Sequence, residues 1–140
     1  MPPLQIVIDT NVLIAGLHSN RGPSFRLLST LGDPRWQANV STALLLEYEE
    51  KLLELRAMLG LTPAEVSTTL DTLARRCRHR IIYFHWRPAS RDPDDDFLVD
   101  LAAGAGCDYV VTFNLRDWPA HVAPKAVTPR DFLAMLPPPT

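Results

Sequence analysis

The chain has 140 residues, 46% of them hydrophobic and 21% charged, and a formal net charge of −2. These values are typical of one globular domain and exclude a disordered chain. The sequence lacks an apolar run of about 18 residues or more, which excludes a membrane-spanning helix, and no basic segment precedes its first apolar run, so we expect no signal peptide. Its two cysteines, Cys77 and Cys107, are too few for a disulfide framework or a thiolate zinc site, which favours a reduced, cytoplasmic protein.

Apolar runs and helical patterns alternate along the chain. These patterns predict strands over residues 4–8, 36–40, 80–84, 108–113 and 126–127. They predict helices over residues 12–17, 23–31, 42–59, 63–76, 93–104 and 129–136, several of which begin with a capping residue or a proline. Strands that alternate with helices give an α/β fold around a mostly parallel sheet of four to five strands.

In such sheets, sites lie beyond the carboxyl ends of the strands, so the polar residues at those points are the candidates. Asp9 directly follows the first strand, where an unpaired buried carboxylate is costly and a metal ion would offset the cost. The alternative is that Asp9 only caps the next helix. Thr10 and Asn11 can orient Asp9 or hydrogen-bond the main chain of the turn.

The predicted helix after Ser41 carries an acid among apolar residues. Glu47 follows Ala43, Leu44, Leu45 and Leu46. An acid next to a run of apolar residues is unusual, because acids are rarely buried unless they are paired. Glu47 is therefore a candidate metal ligand. The alternative is that it is simply the first exposed residue of the helix, before the charged residues that follow.

An acidic block begins at Asp92. Its first acids are typical of the first turn of a helix. Asp96 and Asp100 lie four residues apart on one helix face, where like charges repel unless a cation lies between them. These two acids are therefore candidate metal ligands. After the fourth predicted strand, Asn114 and Asp117 are the nearest polar side chains that could hold a metal or a water, and Thr112 could hydrogen-bond a neighbouring carboxylate.

Basic residues are also concentrated in one segment. Six arginines and no acid lie between residues 72 and 91. Acidic sites bind cations and basic segments bind phosphates, so an enzyme that acts on a polyanion through a metal would use both. The alternative is that both segments are solvated surfaces.

Four segments, in this order and spacing, resemble the PIN-domain family. They are Ile6-Val7-Ile8-Asp9-Thr10-Asn11-Val12-Leu13, then Val40-Ser41 with Glu47-Tyr48-Glu49-Glu50-Lys51-Leu52, then Asp92-Pro93-Asp94-Asp95-Asp96-Phe97-Leu98 through Ala102, and finally Tyr109-Val110-Val111-Thr112-Phe113-Asn114. Residues 128–133 also resemble the tail of the small, VapC-like toxin subgroup. The resemblance covers nearly the whole chain.

The resemblance implies a three-layer α/β/α sandwich over residues 1–136, followed by a proline-rich tail over 137–140. It implies a metal-dependent endoribonuclease that hydrolyses single-stranded RNA, with Mg²⁺ or Mn²⁺ held by Asp9, Glu47 and Asp96. Asn114 departs from the family pattern because many members have an aspartate there, and Asp100 and Asp117 are the candidates to supply the missing charge.

The same resemblance implies the toxin of a type II toxin–antitoxin pair, with an antitoxin protein as partner and a homodimer as the assembly. The hypothesis for RNA binding is that the arginines of the basic segment, Arg75, Arg76 and Arg78 among them, hold the phosphate backbone.

Two other functions are open. A catalytically degenerate PIN fold would bind RNA or protein without cleavage, and Asn114 is its main support. A phosphotransferase with Asp9 as nucleophile is disfavoured, because Asn11 stands where that chemistry usually has a second acid and the chain has only two lysines, Lys51 and Lys125.

Overall fold

The computed structural model describes residues 2–82, 96–118 and 124–138, with only the main chain described at residue 96. Its centre is a five-stranded sheet in the order β3-β2-β1-β4-β5, and every neighbouring pair of strands is parallel. The strands are β1 (Leu4–Ile8), β2 (Trp36–Val40), β3 (Arg78–His79), β4 (Tyr109–Val111) and β5 (Lys125–Val127). The prediction of an α/β fold with a mostly parallel sheet is confirmed.

Helices connect and flank these strands. In the described ranges they are α1 (Thr10–His18), α2 (Pro23–Ser29), α3 (Thr42–Glu54), α4 (Arg56–Leu59), α5 (Pro63–Arg76), α6 (Asp96–Gly104) and α7 (Pro129–Met135), and a 3₁₀ turn lies at Leu115–Asp117. None of the helices in the described ranges is long and apolar enough to cross a membrane.

Local capping signals place the starts of several helices as predicted. The Ser41 hydroxyl accepts a hydrogen bond from the Leu44 N–H at 3.2 Å at the start of α3. Thr62 and Glu65 form a reciprocal capping box at the start of α5. Because these contacts span only three residues, the sequence pattern alone can predict them.

Two predicted elements differ from the structure. The third strand was expected over residues 80–84, but β3 is only Arg78–His79 and residues 80–82 lie outside any strand. The reason is that β2 ends at Val40, which pairs with His79, and its last carbonyl accepts the Arg80 N–H at 2.8 Å. Beyond that point β2 offers no further partner.

The helix predicted over residues 42–59 is also wrong as a single element, because Leu55 (φ −101°, ψ 8°) separates α3 from α4. The predicted helix start at residues 92–95 and the end of the predicted third strand, residues 83–84, lie outside the described residues.

The core lies on both faces of the sheet. Three consecutive residues of β1, Ile6, Val7 and Ile8, are buried, and successive side chains of a strand point to opposite faces. Helices therefore cover both sides of the central strand. Phe132 of α7 is fully buried and makes an edge-on contact with Trp36 at 6.0 Å between ring centroids.

The strand order creates a switch point between β1 and β4. The chain moves from β1 to β2 and β3 on one side, then crosses to β4 and β5 on the other. The crevice outside the carboxyl ends of such neighbouring strands is the usual ligand site of an open parallel sheet. The residues that follow β1 and β4, Asp9 and Thr112, flank this crevice.

Candidate active site at the carboxyl edge of the sheet

Among the acids whose side chains the structure describes, Asp9 is the most buried, with only 8% of the residue exposed. One of its oxygens, Oδ1, accepts the Thr10 N–H at 2.7 Å, so Asp9 caps α1. The other, Oδ2, accepts the Thr112 hydroxyl at 2.7 Å. Burial raises the pKa of Asp9 above its ordinary value, although both hydrogen bonds favour the charged form. Asp9 is thus both the cap of α1 and a doubly hydrogen-bonded carboxyl group whose charged form is disfavoured by burial.

Thr10 links Asp9 to Glu47. Its main-chain N–H contacts the Asp9 carboxylate, and its hydroxyl donates a hydrogen bond to Glu47 Oε2. Partial burial raises the pKa of Glu47, and the charge of Asp9 raises it further. The two acids are therefore close enough to repel each other, and their role as metal ligands stays a prediction.

Tyr48 was not singled out by the sequence, yet it fastens α3 to the end of β1. Its buried hydroxyl donates a hydrogen bond to the Ile8 carbonyl, the residue just before Asp9. Because Tyr48 also follows Glu47 directly, this bond fixes the position of Glu47 relative to Asp9. The sequence signal for Tyr48 is its four-residue spacing from Leu44 and Leu52, which by itself indicates only a side chain that faces the core.

The segment after β4 is tied to the same site by its main chain. The Thr112 hydroxyl, besides donating to Asp9, accepts the Asn114 N–H at 3.0 Å. Asn11 Oδ1 accepts the Phe113 N–H at 3.5 Å. The side chains of Asn114 and Asp117 are exposed, and Asp117 ends the 3₁₀ turn. The structure brings the main chain of Asn114 to the site and leaves its amide toward solvent.

Helix α6 carries the end of the acidic segment that begins at Asp92, and its first turn lies at the same edge of the sheet as Asp9. A helix that connects parallel strands runs antiparallel to them, so its first residue, Asp96, lies at the carboxyl edge of the sheet. The helix contacts β1 and α3, the elements that precede Asp9 and carry Glu47. Asp100 lies one turn further along and is half-buried. The side chain of Asp96 is outside the described part of the chain, so its role as a ligand stays a prediction.

The three arginines proposed for RNA binding are spread over α5 and β3. The Arg76 guanidinium donates to the Leu31 carbonyl at 3.0 Å, in the segment that leads into the amino end of β2. Arg75 donates to the Asp71 carbonyl of its own helix at 3.4 Å, and Arg78 is exposed on β3. Arg76 therefore points toward the edge of the sheet opposite Asp9, and the RNA-binding role of all three stays a prediction.

The donor set fits a hard divalent cation. Carboxylate oxygens are the ligands that Mg²⁺ prefers, and Mn²⁺ shares this preference. Within the described ranges, Asp9 and Glu47 converge without a lysine or arginine in a salt bridge to either. No third histidine, cysteine or acid joins them in a metal-binding group among the residues whose side chains are described. Of the three predicted ligands, the structure thus brings Asp9 and Glu47 near each other, and metal binding by them stays a prediction.

Comparison with known proteins agrees with this geometry. The family model of the PIN domain matches residues 5–116, about four fifths of the chain. PIN domains are commonly nucleases and typically use divalent metals. No curated protein matches the chain significantly.

Proposed function

The chain belongs to the PIN-domain family, and from that premise we propose that it is a metal-dependent endoribonuclease that hydrolyses phosphodiester bonds of single-stranded RNA. The observation that carries the proposal is the pairing of Asp9 and Glu47 through Thr10 at the switch point of the sheet. Burial raises the pKa of both carboxyl groups, and the charge of Asp9 raises that of Glu47 further. A cation between the two carboxylates would offset this unfavourable burial and repulsion of negative charge.

Each of the proposed ligands has a distinct support. Thr10 and Thr112 hold the two oxygens of Asp9 in fixed directions, and the Tyr48 bond to Ile8 fixes the helix that carries Glu47. Asp96 is proposed as the third ligand, because α6 begins at this edge of the sheet.

When bound, Mg²⁺ or Mn²⁺ supplies Lewis-acid polarisation of the phosphate and a nucleophile at neutral pH. Asp9, Glu47 and Asp96 would hold the cation, and Asp100, Asn114 or Asp117 would act through its waters, since Mg²⁺ usually retains several of them. The arginines Arg75, Arg76 and Arg78 would hold the RNA backbone. Charge reversal of all three that changes neither RNA affinity nor its salt dependence would exclude that role.

The finer biological proposal is a toxin of a type II toxin–antitoxin pair, acting as a homodimer and held inactive by an antitoxin. Its support is the resemblance of residues 128–133 to the toxin-like subgroup. Expression of the wild-type chain in bacteria should arrest growth, whereas Asp9→Asn should not. Growth at the same rate with both, at equal protein levels, would contradict the toxin role while leaving the nuclease activity open.

The test of the nuclease is cleavage of a labelled single-stranded RNA by the purified protein, with Mn²⁺, with Mg²⁺ and with EDTA. We expect cleavage that requires metal and is lost in Asp9→Asn, which also serves as the control for contaminating nucleases. Asp131→Asn is a matched control, because Asp131 is an exposed acid on α7. Cleavage that persists in EDTA or in Asp9→Asn would contradict the proposal.

The alternative is a degenerate PIN fold that binds RNA or protein without cutting. It is favoured by one observation, the amide of Asn114 where many family members carry an acid. Asn114→Asp restores that charge at an exposed position. If only Asn114→Asp binds Mn²⁺ and cleaves RNA, the natural chain is the degenerate form.

A further inference from the structure

An aromatic ring stands exposed beside the candidate site. Of the phenylalanines that the structure describes, Phe113 is the most exposed, at 50%, and it directly follows the residue that holds Asp9. Leu115, two residues on, is 44% exposed. By contrast, Phe132 is fully buried in the core. The ring of Phe113 therefore contributes little to the packed interior.

The main chain around Phe113 is held on both sides. Its own N–H donates to Asn11 Oδ1 at 3.5 Å, and the next N–H, of Asn114, donates to the Thr112 hydroxyl at 3.0 Å. The same hydroxyl donates to Asp9. The main chain that carries the exposed ring is thus tied to the carboxylate site through a short, hydrogen-bonded segment.

A substrate at this site faces an electrostatic conflict. The phosphates of RNA are negative and so are Asp9 and Glu47, so a contact that attracts RNA without charge would add to what the cation and the arginines supply. Stacking of a base on an aromatic ring is such a contact, it is tolerant of sequence, and it requires a base with a free face. A base within a duplex has both faces covered by its neighbours.

We propose that Phe113 is a substrate-binding residue whose ring stacks on an unpaired base next to the scissile phosphate, and that it selects single-stranded over double-stranded RNA. This inference rests on the proposed function. It adds a contact to the base, whereas the ligands and arginines contact metal and phosphate.

The experiment measures binding of a fluorescein-labelled, single-stranded RNA to the full chain by fluorescence anisotropy, in an Asp9→Asn background that prevents cleavage. Phe113→Ala should weaken binding by about 5- to 150-fold, the range for loss of one base–aromatic stack. Phe113→Trp should retain the affinity, and Phe113→Leu, which is apolar but has no aromatic face, should lose most of it. Phe25→Ala, on the exposed ring of α2, is the matched control and should bind as the parent does.

Two readouts separate stacking from a structural effect. The fold-loss in Phe113→Ala should be the same at about 50 and 200 mM salt, because stacking releases few counterions, whereas loss of a phosphate contact would change the salt slope. An RNA with an abasic residue at the stacked position should bind the parent and Phe113→Ala equally.

Equal RNA affinity of the parent and Phe113→Ala, in a protein whose wild-type form cleaves RNA, would overturn the stacking role and leave the nuclease intact. Equal weakening by Phe113→Trp and Phe113→Ala would overturn it as well. If the wild-type chain neither binds nor cleaves any RNA, the proposed function fails and the inference fails with it.

Discussion

The contact between Thr112 and Asp9 offers a sensitive test of the site, because it can be removed with almost no change in shape. The Thr112 hydroxyl is buried, with 1% of the residue exposed, and donates to Asp9 Oδ2 at 2.7 Å. Thr112→Val replaces that hydroxyl by a methyl group, so Asp9 Oδ2 loses its donor and the Asn114 N–H loses its acceptor. Thr112→Ser keeps the hydroxyl and removes the methyl group instead.

The expected costs of the two substitutions differ in size and in kind. A hydrogen bond to a charged group contributes about 1.5–3 kcal/mol, so Thr112→Val should lower the free energy of unfolding by that amount. At roughly 3 °C per kcal/mol for a chain of this length, the Tm should fall by about 5–9 °C. Thr112→Ser loses one buried methyl group, which costs about 0.8 kcal/mol.

The effect on metal binding should follow the pKa of Asp9. The Thr112 hydrogen bond favours the charged carboxylate, so its loss raises the pKa of Asp9 further above the ordinary value. Protons then compete more strongly with the cation, and Mn²⁺ binding should require a higher pH in Thr112→Val than in the wild type. Thr112→Ser should keep the wild-type pH dependence.

The assay is a series of thermal melts with and without Mn²⁺ across the acidic and neutral range, for the wild type and both variants. The metal-induced rise in Tm reports binding, since a ligand that binds only the folded state stabilises it. If Thr112→Val shows the wild-type pH dependence of this rise, or if the Ser and Val variants behave alike, the hydroxyl does not control the charge of Asp9 and the reasoning is wrong.

Two further predictions concern the same edge of the sheet. Tyr48→Phe leaves the buried Ile8 carbonyl without its donor and should lower the free energy of unfolding in urea by about 1–3 kcal/mol; the same change at the half-buried Tyr109 is the control, and an equal loss in both would contradict a specific role for the Tyr48 bond. Because the folded-state pKa of Asp9 is raised above its ordinary 3.8, the metal-free chain should lose stability as the pH rises from the ordinary pKa through the raised one. Asp9→Asn should lack this contribution, and parallel stability–pH curves for the two proteins without metal would contradict it.

The sequence was sufficient wherever the physical signal is local. The alternation of apolar runs with helical patterns predicted the parallel α/β fold, and the capping box of Thr62 and Glu65 spans three residues, a contact that any chain with this pattern can form by itself. The position of Asp9 after a buried strand was enough to predict a carboxylate at the carboxyl edge of the sheet.

The sequence failed where a partner distant in the chain decides the local structure. Residues 80–82 have strand-forming side chains, but β2 ends at Val40 and supplies no further hydrogen-bonding partner. The helix is interrupted at Leu55, although the sequence has no proline or glycine there that would predict a break. In both places local propensity competes with tertiary packing, and packing decides the outcome.

The site itself shows the same division. The kinds of residue, two acids and two threonines, could be read from the chain, but their connections could not. The Thr10–Glu47, Tyr48–Ile8 and Thr112–Asp9 hydrogen bonds join residues 37, 40 and 103 positions apart. Such bonds form only when β1, α3 and β4 have packed, because the entropy cost of closing these long loops is offset by burial of the whole core and not by the bonds themselves.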